Sequence, residues 1–197
     1  ATAPRRHPGS TFKPYVRTAA LMTGKYMPQT MVVDGPICIG NWCPQNYGRS
    51  YAGRIPLITA LTRSLNTVAV KLAEAIGRGR IVDLAHAMGV KSELKITRAL
   101  PLGAAEVTVI DQATGYAVFA NNGMSVDAHT VIDMRTPAGD PVWSFDRNGP
   151  KPHRVIPEKT IAQNGPMLNS VVENGTGRRS MPTRVKGVGT HGTTQAP

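Results

Sequence analysis

Two short stretches hold residue types that can act on one another chemically. In "RRHPGSTFKPYV", residues 5–16, Pro8-Gly9 makes a turn, Ser10 stands where it can cap a following helix, and Lys13 comes three residues later. At i, i+3 on a helix a hydroxyl and an ammonium share one face. A serine hydroxyl is a poor nucleophile until a base takes its proton. A lysine is such a base when desolvation or a neighbouring cation lowers its pKa enough to leave some neutral amine. The positive end of the helix favours the charge that develops on the serine oxygen. Alone, S-x-x-K also reads as an ordinary helix cap beside a solvated lysine.

The second stretch, "TRSLNTVAVKLA", puts Ser64 and Asn66 two apart in a polar break between helices. A hydroxyl there can relay protons, and an amide can hold a substrate carbonyl and a lysine at once. The plainer reading is that either residue caps the next helix. The only cysteines, Cys38 and Cys43 in "ICIGNWCP", leave a short-loop disulfide or two buried thiols. They do not make a zinc site, which needs four ligands, and no second Cys or His pair has suitable spacing. No metal or cofactor is expected.

The elements that must position these residues follow from periodicity. From Thr11 to about Met22 the pattern is helical, with Phe12, Val16, Ala19 and Ala20 on one buried face, and Pro14 is tolerated in the first turn. Residues 27–55 are polar and rich in Gly and Pro, a long loop of the kind that carries function. "PLITALTRSLN" and "TVAVKLAEAIG" are helical around the Ser64-Leu65-Asn66 break. "RIVDLAHAMGV" is a short helix ended by Gly89, and another runs from about Thr108 to Ala120, stopped at Asn122-Gly123. "HTVIDMRTPAGDPVWSFD" reads as a β-hairpin, within about 125–150. "PEKTIAQNGPMLNSVVENGTG" is helical, with Gly165-Pro166 expected to kink or interrupt it. "TRVKGVGTHGTTQ" suits a strand whose backbone something approaches closely.

The 197 residues suit one domain or most of one, and no apolar run approaches the roughly 18 residues of a membrane span. Helices with apolar faces need a covering layer, and the few strands visible are too few to supply it, so the chain is expected to be part of a longer one. Net charge is +11, which suits an anionic partner. The basic residues are scattered, however, and aromatics are only 5%, so no stripe for nucleic acid forms and no nucleic-acid partner is expected.

Taken together, "RHPGSTFKPYV", "SLNTVAVKLA", "LPLGAAEVTVIDQATGYAVFANNG", "VVENGTGRR" and "GTHGTTQ" resemble, in order and spacing, the transpeptidase domain of class A penicillin-binding proteins. The resemblance runs over nearly all of the chain, 1–197. It implies an α/β (α+β) serine transpeptidase, β-lactamase-like fold: a helical subdomain plus part of an antiparallel sheet. It also implies acyl transfer on D-alanyl-D-alanine stem peptides of peptidoglycan, with β-lactam antibiotics trapping the serine. Carried over, Ser10 is the nucleophile, Lys13 the base, Ser64 the relay, and Asn66 a substrate holder. Gly192, Thr193 and Thr194 line the substrate, with the backbone N–H groups of Ser10 and Thr193 as an oxyanion hole. The implied parent carries a glycosyltransferase domain and is anchored on the periplasmic side of the bacterial inner membrane. In that oxidising setting Cys38 and Cys43 are expected to form a disulfide.

The third family motif, Lys-Thr-Gly-Thr, departs from the pattern. Thr190 stands in place of the lysine and His191 in place of the threonine. Lys186 is four residues upstream, about 13 Å away at ~3.3 Å per residue, too far to replace the lost cation. A catalytically silent peptidoglycan- or partner-binding relative of the fold is therefore the competing expectation.

Overall fold

The computed structural model describes residues 4–178 together with Gly189, Thr190 and Gly192. Lys186, His191, Thr193, Thr194 and most of the expected C-terminal strand lie outside the described residues.

Helix α1 (Lys13–Met22) is the hub. Every residue from Phe12 to Leu21 is buried, including Lys13, Arg17 and Thr18. The apolar spacing alone predicts only one buried face. The helix is enclosed because α3 (Asn66–Ile76), α4 (Arg78–Ala87) and α7 (Glu158–Asn174) all pack on it, and α2 (Leu57–Thr62) packs on α7. An element so enclosed must be small or apolar along its length, and Ala19, Ala20, Val16 and Leu21 meet that need. The buried polar residues of α1 need partners of their own.

The stop signals act as expected. Thr108 Oγ1 accepts from Asp111 N (3.1 Å), capping α5 (Val109–Ala120), which ends where Asn122 and Gly123 turn left-handed. Helix α4 ends with Val90 N donating to Ala85 O (3.0 Å), through a left-handed Gly89. The hairpin is present as β5 (Asp133–Arg135) and β6 (Pro141–Ser144), followed by the single turn α6 (Phe145–Asn148).

Two elements differ from the sequence reading. Helix α7 passes through Gly165-Pro166 without a break. Both residues and Ala162, whose carbonyl loses its i+4 donor, face solvent, so water can satisfy that oxygen. The 27–55 stretch is not a loop throughout. It contains β2 (Met31–Asp34) and β3 (Gly53–Pro56), paired antiparallel from Met31↔Pro56 to Asp34↔Gly53, with an excursion over 35–52 between them. The remaining pair, β1 (Arg5–Arg6) with β4 (Val107–Thr108), ties the front of the chain to the start of α5. The described residues are thus a helical body carrying small antiparallel pairs, a mixed α+β architecture.

Candidate active site

Ser10 does not cap α1. It sits in a 3₁₀ turn, Gly9–Phe12, that runs directly into the helix, and its side chain makes no capping bond. Several contacts pin this turn. Gly9 N donates to Gly103 O (3.2 Å), and a Cβ on Gly103 would land on the Gly9 backbone. Thr11 Oγ1 donates to Pro8 O (2.7 Å). From α5, Gln112 Nε2 and Tyr116 Oη donate to Thr11 O at 3.0 and 2.7 Å. Gly192 lies close as well, since a Cβ there would stand 2.6 Å from Pro8 O and 3.1 Å from Ser10 N. A glycine is what permits that backbone approach.

Lys13 opens α1, and its ammonium is aimed at the break between α2 and α3. Nζ donates to Ser64 O (2.6 Å), Ser64 Oγ (3.0 Å) and Asn66 Oδ1 (2.6 Å). The three donors of a lysine are thereby matched to three oxygens. Among the described residues no hydrogen bond joins Ser10 to Lys13; the partners the structure brings together are Lys13, Ser64 and Asn66.

Burial, and secondly the cation of Arg17 one turn further along α1, lower the Lys13 pKa to about 7. Arg17 is itself fully buried and donates to Ala60 O (3.1 Å); burial lowers its pKa to about 9, so it remains a cation at neutral pH. The result is a buried lysine that is about half neutral near pH 7 and has a hydroxyl beside it.

Ser64 owes its position to the end of α2. Leu65 N donates to Ala60 O (2.9 Å) and Ser64 N to Leu61 O (2.8 Å), a Schellman closure in which Ser64 is the left-handed residue at φ 53°. Glycine is the usual occupant of such a position, and a non-glycine there stores strain. This turn directs both the carbonyl and the hydroxyl of Ser64 to Lys13.

Sequence reasoning missed the support of Asn66. Its backbone N donates to Asn46 Oδ1 (2.8 Å) and its Nδ2 to Gln45 O (2.8 Å), both in the 35–52 excursion. Asn46 in turn donates to the buried carboxylate of Asp34 (2.8 Å). The one available signal was composition: a long polar stretch is often functional. Cys38 and Cys43 are joined within the same excursion, sulfurs 2.04 Å apart, and Arg98 clamps it by donating to Ile39 O and Asn41 Oδ1, each at 2.8 Å. Among the described residues no cluster of His, Cys, Asp or Glu could hold a metal ion.

Comparison with known proteins fits this geometry. Residues 1–194 match the family described as the penicillin binding protein transpeptidase domain. The chain is 40% identical over 139 residues to penicillin-binding protein 1A of Neisseria flavescens, covering 66% of this chain and 17% of that protein. It is 36% identical over 147 residues to penicillin-binding protein 1A of Rickettsia felis, covering 72% and 18% respectively. The chain thus spans less than a fifth of the curated relatives it matches. Among solved structures it superposes on the D,D-transpeptidase domain of a peptidoglycan glycosyltransferase from Eggerthella lenta with a TM-score of 0.83 at 22% identity, over 100% of this chain and 56% of that one. For penicillin-binding protein 1A of Haemophilus influenzae the TM-score is 0.79 at 22% identity, over 90% of this chain and 32% of that one.

Proposed function

Because the chain belongs to the penicillin-binding protein transpeptidase domain family, we propose that Ser10 is the nucleophile of a peptidoglycan D,D-transpeptidase. In this reading neutral Lys13 takes the Ser10 proton as the oxygen attacks the penultimate carbonyl of a D-alanyl-D-alanine stem peptide. The carbon–nitrogen bond to the terminal D-alanine breaks, the proton passes through Ser64 to the leaving amine, and an acyl-serine remains. An amine from a neighbouring strand then attacks the ester, releasing Ser10 and forming the crosslink. A β-lactam acylates the same serine, but its opened ring stays attached. The N–H groups of Ser10 and Thr193 would receive the oxyanion, and Asn66, Gly192 and Thr194 would orient the substrate.

One observation carries this reading: the buried Lys13 ammonium is held by Ser64 O, Ser64 Oγ and Asn66 Oδ1, with a pKa of about 7. A surface lysine beside a helix cap would have neither the partners nor the shift. The parent would carry a glycosyltransferase domain and act at the periplasmic side of the inner membrane; among the described residues no helix is long and apolar enough to cross a membrane.

Thr190, where the family has lysine, supports a second reading, a silent binder that keeps the groove without the chemistry. Intact mass before and after penicillin separates the two in protein made from the complete gene. The mass of one penicillin should appear on the wild type and be absent from Ser10→Ala. No adduct on folded wild type would favour the binder.

A further inference from the structure

We propose that Asn46, fixed by the buried carboxylate of Asp34, is a positioning residue that sets Asn66 and through it the Lys13 ammonium; this rests on the acyl-transfer reading above.

Helix α3 has no side-chain cap of its own. Helix N-termini leave several N–H groups without intrahelical partners. The residue at the cap position here is Leu65, which has no side chain to accept them. The acceptor comes instead from twenty residues upstream: Asn46 Oδ1 takes the N–H of Asn66 (2.8 Å) and that of Thr67 (3.3 Å). Asn46 is thus a helix cap supplied from another part of the chain, and it is itself 5% exposed.

A carboxamide works here only if its oxygen faces α3. Asp34 enforces that orientation, because an ionised carboxylate can only accept. Asn46 Nδ2 donates to Asp34 Oδ1 (2.8 Å) and to Ser50 O (3.1 Å), leaving Oδ1 for the helix. The Asp34 side chain is 1% exposed, and it also accepts from the Thr67 hydroxyl and from Ala52 N (2.7 Å). Burial alone would raise its pKa; the hydrogen bonds from Thr67, Asn46 and Ala52 outweigh this and hold it below the usual carboxylate range. It is therefore anionic across the working pH range, beside the positive end of α3.

Asn66 is fixed in the same way by groups that can only accept. Its backbone N–H is taken by Asn46 and its Nδ2 by the carbonyl of Gln45, which can only accept. The remaining group is Oδ1, and it meets Lys13 Nζ at 2.6 Å. Of two consecutive residues, Gln45 thus determines which way the Asn66 amide points, and Asn46 fixes the backbone that carries it. A reversed amide would present N–H groups to an ammonium. None of these residues touches the Ser10 hydroxyl, so the role is one of placement.

The test uses protein from the complete gene and fluorescent penicillin. Asn46→Ala should lower the acylation rate constant about 100-fold, the loss typical of a misplaced catalytic group, with little change in the non-covalent binding constant. In the Asn66→Ala background the same substitution should cost less than about threefold, because the Asn66 side-chain amide through which it acts on Lys13 is already gone. Equal losses in both backgrounds, or no loss in a folded Asn46→Ala protein, overturn the proposal. Asp34→Asn preserves shape and volume, and gives the same readouts if Asn46→Ala lowers the folded fraction. A wild type that takes up no penicillin would sink the acyl-transfer reading instead. Positioning is then decided by the NMR titration of 13C-labelled Lys13, assigned by its loss in Lys13→Met. Its midpoint should move by about one pH unit or more in Asn46→Ala, and an unchanged midpoint overturns the proposal.

Discussion

Lys13 and Ser64 are bonded twice: Nζ donates to the Ser64 carbonyl at 2.6 Å and to its hydroxyl at 3.0 Å, across 51 positions of sequence. The backbone contact and the side-chain contact have separate consequences, because only the second involves a group able to pass a proton.

Substitution at Ser64 can divide the two. Ser64→Ala and Ser64→Gly both delete the hydroxyl and should both slow penicillin acylation, by about 100-fold. Only glycine adopts φ 53° without strain, so Ser64→Gly should be more stable than Ser64→Ala by about 1 kcal/mol. Urea unfolding and acylation kinetics on both proteins check this. An alanine variant as stable as the glycine variant would mean that the turn relaxes.

The Lys13 pKa near 7 predicts how the rate depends on pH. In the proposed mechanism acylation needs the neutral amine, so the rate should rise with pH through about 7 and level off above it. Stability should follow the same direction. The folded pKa of about 7 lies below the ordinary value of 10.5, so between these limits the unfolded chain binds more protons and stability rises with pH. The full span corresponds to roughly 5 kcal/mol, and Arg17, lowered to about 9, adds to the trend above that pH. Lys13→Met should abolish acylation and flatten the slope between pH 7 and 9. Urea unfolding at several pH values measures it, and an unchanged slope would place the titration elsewhere.

Restoring the third motif should accelerate acylation. Thr190→Lys with His191→Thr puts a fixed cation where the substrate carboxylate is expected, which should return at least ~1.4 kcal/mol, or tenfold. The second-order acylation rate is compared after both proteins show cooperative melts. Equal rates would mean that the third motif does not limit the reaction.

The Cys38–Cys43 bridge closes a short loop, with sequence separation 5. Chain entropy for so small a loop gives about 2 kcal/mol. Thiol counting under denaturing, non-reducing conditions should find no free thiol, and reduction should lower stability by about that amount. Two free thiols in protein from an oxidising compartment would contradict the pairing.

The sequence made the candidate site residues visible and left their supports hidden. Ser10 with Lys13, and Ser64 with Asn66, could be singled out because each pair sets residue types able to act on one another close together in sequence. Helices α3, α4 and α5 were readable because their apolar period and glycine stops are local signals. Strands β2 and β3 were not, since their pairing joins segments separated by the 35–52 excursion, and neither alternates strongly. The Asp34–Asn46–Asn66 chain follows no period at all; it exists only once that excursion folds back on α3. The burial of α1 on every side was equally hidden, because Lys13 and Arg17 look like solvent-facing residues until α3, α4 and α7 enclose them.

The remote cap on α3 also governs how this part of the molecule opens. The amides of Asn66 and Thr67 end on Asn46, and the amide of Ala52 ends on the carboxylate that holds Asn46. The first turn of a helix ordinarily frays independently of its surroundings. Here it cannot unwind without releasing the excursion, so the three amides should gain and lose protection from solvent exchange together. Lys13, bonded to Asn66 Oδ1, is therefore anchored to a cooperative unit rather than to a helix end that opens by itself.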